Sequence, residues 1–157
     1  MEEPDVTCFV NQNKFGVAAK RIKNVTKLET RVREAAKQIQ KSALPGFIAI
    51  DTCVALNRDN ERITVSMVDE VFMRNHKRAL YEFVKYYHDR IQTWVRAKGV
   101  RGLIVHDQQV RYLEENRWCT SGMTLWLETT RHNARRSKEY SLFAEKYQLG
   151  IPNVENI

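Results

Sequence analysis

Asp5, directly after Pro4, and Lys20, followed at once by Arg21, are the residue types that phosphodiester hydrolysis needs. A carboxylate is a hard oxygen ligand for Mg²⁺, and an ammonium group beside the attacking water offsets the negative charge that builds up on the phosphate. For this chemistry the two side chains must meet in space. Further oxygen ligands must join the aspartate, and cationic side chains must hold the flanking phosphates.

The elements that would bring them together are legible. Asp5–Val10 reads as a short strand, Asn11–Asn13 as a turn, and Lys14–Arg21 as the returning strand of a hairpin. Asn24 or Thr26 can cap the helix that follows, in which Leu28, Val32, Ala35, Ala36 and Ile39 recur on one face. Ala43–Gly46 ends that helix, and Phe47–Asp51 is a continuous apolar run of the kind that forms a buried parallel strand. A hairpin would set Asp5 and Lys20 on the same side of the sheet.

This strand–strand–helix–strand arrangement, with Pro-Asp on the first strand and a lysine on the second, resembles the PD-(D/E)XK superfamily of restriction-endonuclease-like nucleases over residues 4–51. The resemblance implies a metal-dependent DNA nuclease or a degenerate relative of one. Asp5 would bind Mg²⁺ and Lys20 would position or activate the attacking water. Arg21 and Lys23 would hold the phosphate backbone, with Lys27, Arg31 and Gln38 also facing the nucleic acid. Two departures stand out. Ala18 occupies the position two before the lysine, where the superfamily places Asp or Glu, and alanine binds no metal. Some members take that acid from the following helix, where Glu29 and Glu34 are the candidates; Asp51 is a third. The superfamily core also begins with a helix and a strand ahead of the Pro-Asp strand. The expectation is therefore a piece of a longer protein or a rearranged core. An Ala18→Glu change is expected to project beside Lys20 toward Asp5 and raise Mg²⁺ binding.

The charge distribution points to the same class of partner. The net charge is +7, and nine basic residues against two acids lie between Lys14 and Lys41, so the rest of the chain sums to neutral. Concentrated positive charge attracts polyanions. Six to ten phosphate contacts would give a log–log salt slope of roughly −5 to −9. The bland alternative is a solvated helix face.

The remaining chain predicts an α/β fold: a mixed sheet of about five strands flanked by three main helices, in a single domain spanning 1–157. A long helix from Val68 to about Ala97, stopped by Gly99, carries an apolar stripe from Val71 to Val95. Leu103–Val105 reads as a buried strand, Met123–Thr129 as a half-buried one, and Asn133–Tyr147 as a last helix closed by Gly150–Pro152. His106-Asp107 ends a strand where α/β sites tend to gather, although an ordinary strand end is the better reading. Trp94 fits the helical stripe, Trp126 reads as half-covered, and Trp118 beside Arg117 is the better surface residue for stacking a base. Arg131, Arg135, Arg136 and Lys138 form a second basic cluster at a helix start.

Cys8, Cys53 and Cys119 form no CxxC pair and indicate neither zinc nor a disulfide framework. His76 and His88 have no metal-ligand spacing. No apolar run approaches a membrane span, and the acidic Met1–Asp5 start is no secretory leader, so a cytoplasmic location is expected. Three functions are open: a nuclease, a non-catalytic nucleic-acid-binding module using residues 14–41, and a protein-interaction domain for an acidic partner.

Overall fold

A computed structural model describes residues 3–56, 70–113, 117–129 and 133–147. It is the expected α/β fold: a five-stranded mixed sheet in the order β1-β2-β3-β4-β5 with three main helices. Strand β1 (Val6–Val10) pairs antiparallel with β2 (Asn13–Arg21). Between them Asn11 and Gln12 both take positive φ, 45° and 67°. A two-residue turn of that kind matches the right-handed twist of its strands, and asparagine tolerates the conformation better than most residues. Asn24 accepts the backbone N–H of Thr26 and opens a short 3₁₀ turn, from which α1 (Leu28–Ser42) continues.

Helix α1 buries the stripe read from the sequence. Leu28, Val32, Ala35 and Ile39 are at most 2% exposed, and the largest of them each contribute about 1.5–3 kcal/mol by leaving water. It carries the chain to β3 (Gly46–Asp51), which pairs parallel with β2. Gly46 is needed there because a Cβ would sit 2.5 Å from the Gly16 carbonyl oxygen. A single helical turn, α2 (Cys53–Leu56), follows; the sequence showed no sign of it.

Helix α3 (Glu70–Trp94) matches the predicted long helix, while β4 (Val100–Leu113) and β5 (Arg117–Glu128) are longer than expected and form an antiparallel pair. Their outer halves, residues 107–113 and 117–122, mix polar and apolar side chains and hold no continuous apolar run to mark them in the sequence. Asn133 caps α4 (Ala134–Tyr147) by accepting the Arg136 N–H. The expected stop at Gly150–Pro152 lies outside the described residues.

The sheet's two faces are covered differently. Helices α1 and α3 cover one face, where Ala18, Ile22, Ile48, Ile50, Leu103, Val105, Leu80, Val84 and Ile91 form the main core. On the other face α4 packs Tyr140 and Phe143 against Phe15, Phe47 and Trp126. This second core reaches only the half of the sheet near the strand starts β2 and β3. Trp126, expected to be half-covered, is 7% exposed, and its Nε1 is the one buried side-chain polar atom among the described residues without a partner. No helix among the described residues is long and apolar enough to cross a membrane.

Candidate functional site

The register Val6↔Val17 sets Asp5 opposite Ala18, on the face toward α1. Strand period two then puts Lys20 on that same face and Arg21 on the other. Lys20 Nζ lies 3.3 Å from Asp5 Oδ2 and donates to Gln38 Oε1 at 2.8 Å. Gln38, 9% exposed on α1, donates through Nε2 to Asp5 Oδ1 at 3.1 Å and to the Glu3 carbonyl at 3.0 Å. The backbone N–H of Ala19 completes the set on Asp5 Oδ2 at 2.7 Å. Three residues singled out in the sequence therefore meet in one closed network. Burial raises the Asp5 carboxyl, but hydrogen bonds from Gln38 and the Ala19 N–H, with the Lys20 charge, outweigh it and hold the group below its ordinary value.

This network does not fit Mg²⁺. The ion needs several converging oxygen ligands to give up its water, and among the described residues no group of three His, Cys, Asp or Glu side chains could hold a metal. Both Asp5 oxygens already accept hydrogen bonds, and Lys20 supplies the neighbouring positive charge. None of the three substitute acids joins Asp5. Glu29 pairs with Arg33 at 2.8 Å and Glu34 with Arg31 at 2.8 Å, both exposed on α1. Asp51 lies on the opposite face and pairs with Arg21 Nε at 2.6 Å. The register that sets Ala18 opposite Asp5 also packs it, at 0% exposure, into the main core. A glutamate there would not project freely beside Lys20, as the sequence suggested; its carboxylate would start from inside the core.

The basic segment is thinner than its sequence. Arg31 and Arg33 are paired within α1, and Arg21 is committed to Asp51. Lys14, Lys23, Lys27 and Lys37 are exposed and have no ion-pair partner among the described residues. Lys23 lies two residues past the end of β2 and Lys27 is the residue before α1, so both belong to the short connection that leaves the C-terminal end of β2.

On the open part of the second face, a hollow of about 320 Å³ is lined by Ala19, Lys20, Arg21, Ala49, Ile50, Asp51 and His106. His106 is held by Thr124, with Nδ1 and Oγ1 3.0 Å apart. His106 and Asp107 are separated by the strand's alternation. Asp107 points into the main core, where it meets His76 Nε2 at 2.7 Å and Thr52 Oγ1 at 3.0 Å. That buried knot, which ties α3 to β4, was invisible in sequence because its members are far apart along the chain. Burial, then the Asp51 carboxylate, pushes the Cys53 thiol up to about 11, so it is no thiolate nucleophile at neutral pH. Trp94 packs against the main core, and the side chain of Trp118 lies outside the described set. Of the second basic cluster, Arg135 joins Arg101 on Glu139.

No protein-family model, curated protein or solved structure matches the chain.

Proposed function

We propose that this chain is a nucleic-acid-binding module, directed most simply at DNA, built on a PD-(D/E)XK-like core whose metal site has been lost. What carries this reading is the Asp5–Lys20–Gln38 network. It joins the Pro-Asp aspartate, the lysine and the helix glutamine at hydrogen-bond distance, while the position of the second acid is Ala18. The strand–strand–helix–strand order of residues 6–51 supports it.

In this reading the network is structural. Lys20 neutralises Asp5, Gln38 bridges both, and together they tie β1 to β2 and α1. Affinity comes from Lys23 and Lys27 at the end of β2, which have no ion-pair partner among the described residues and release counterions from the phosphates they meet. Hydrolysis is not expected, because one hydrogen-bonded carboxylate cannot gather the ligands that Mg²⁺ requires at a scissile phosphate.

Binding of a DNA duplex and a single strand to the wild-type chain and to Lys23→Ala and Lys27→Ala tests this. Each substitution should weaken binding at low salt and reduce the salt slope by about one. Binding that is insensitive to salt and to both lysines would transfer the basic segment to an acidic protein partner.

A further inference from the structure

Resting on that reading, we propose that the hollow beside Arg21, Asp51 and His106 receives one unpaired base of a bound single strand. The hollow exists because the residues at two central positions are small. On the open face β2 and β3 present Ala19 and Ala49, which are register partners, so their methyl groups lie side by side. Ile50 turns into the main core and Lys20 turns to Asp5 and Gln38. These two therefore lend the hollow their strand backbone. The result is a flat, weakly polar floor, which suits the face of a planar ring.

The walls are polar and in place before any ligand arrives. Arg21 uses Nε on Asp51, which leaves both Nη groups of a planar fork at the rim. Asp51 is itself fixed by the Cys53 N–H at 2.9 Å. His106 is anchored through Nδ1 to Thr124, which leaves Nε2 for a ligand. A guanidinium and an imidazole offer both stacking faces and in-plane hydrogen bonds, the means by which unstacked bases are held. About 320 Å³ falls at the small end of ligand sites, too small for a duplex segment.

A strand, rather than a free nucleotide, is the better source of the base. The hollow opens at the end of β2, and Lys23 follows within two residues of its Arg21 wall, with Lys27 beyond. Phosphates held there would carry the adjoining base to the floor between Ala19 and Ala49.

The test compares a short thymidine oligonucleotide, a fully abasic oligonucleotide of equal length and thymidine monophosphate, with the wild-type chain, Ala49→Leu and Ala19→Leu. Both leucines fill the hollow on the sheet face away from the Lys20–Asp5–Gln38 network and leave Lys23 and Lys27 unaltered, and position 19 is exposed, so the fold has room for at least one of them. The thymidine strand should bind wild type about tenfold more tightly than the abasic strand. Either leucine should erase that difference and leave abasic binding unchanged. Equal, salt-dependent binding of both strands, unaltered by the leucines, would overturn the base site and leave the phosphate-binding reading standing. A monophosphate that binds as tightly as the strand would overturn the strand as source. Absence of salt-dependent binding to either oligonucleotide would overturn the parent reading and this one together.

Discussion

Lys20 and Arg21 are neighbours in the chain, and each holds an aspartate, yet they belong to different parts of the molecule. Lys20–Asp5 lies on the α1 face, with the lysine side chain 22% exposed and a third partner, Gln38, closing the network. Arg21–Asp51 lies on the opposite face, beside the open hollow, with the arginine 66% exposed. One step along a strand exchanges a packed, fully bonded environment for a solvated rim. A basic pair in sequence is therefore not a bipartite site. Two carboxylates a strand apart cannot share a metal when the sheet stands between them.

The two faces should differ most at the adjacent pair Ala18, buried, and Ala19, exposed. Ala18→Glu places a carboxylate in the main core and should destabilise the chain by about 3 kcal/mol or more in urea unfolding. Ala19→Glu, on the exposed neighbour, should change stability by no more than about 0.5 kcal/mol. A stable Ala18→Glu variant that binds Mg²⁺ would show that the α1 face still has room for a metal.

A smaller contrast is expected between the two networks themselves. Gln38→Ala removes partners from Lys20, Asp5 and the Glu3 carbonyl and should cost about 2 kcal/mol. Arg21→Ala breaks one exposed ion pair and should cost less than about 1 kcal/mol. Equal losses would mean that the α1-face network is no better built than the rim pair.

The smallest effect is the pH response, and here the faces should agree. At Asp5 and Asp51 alike burial raises the carboxyl, but hydrogen bonds and a cation hold it below the ordinary 3.8. A folded value below the unfolded one stabilises the fold fully above the unfolded value. That contribution is lost as pH falls through the folded value. Stability should therefore decline below about pH 4, and Asp5→Asn and Asp51→Asn should each flatten the decline. A profile unchanged by Asp5→Asn would deny the Lys20 and Gln38 contacts any preference for the carboxylate.

Much of this was legible in the sequence because it is local. The hairpin follows from turn chemistry at Asn11, and α1 follows from the spacing of Leu28, Val32 and Ile39. With the hairpin register, Asp5 and Lys20 must meet. The unpaired charge was overstated, because Arg31 and Arg33 find glutamates one turn away on their own helix. The His76–Asp107–Thr52 knot and the hollow between Ala19 and Ala49 depend on parallel strand pairing across distant segments. No local pattern encodes that pairing. The length of β4 and β5 escaped because their outer halves hold no continuous apolar run of the kind that marks a buried strand.

If the chain binds nucleic acid without a metal, as proposed, its affinity for DNA must not depend on Mg²⁺. The most direct measurement is the affinity for a DNA oligonucleotide as a function of salt in EDTA, with the DNA recovered intact or cleaved after Mg²⁺ is added. Two to four lysine–phosphate contacts predict a log–log slope of roughly −2 to −4, no requirement for Mg²⁺, and intact DNA. Binding that appears only with Mg²⁺, or cleavage that Asp5→Asn abolishes, would contradict metal-free binding and restore Asp5 as a metal ligand.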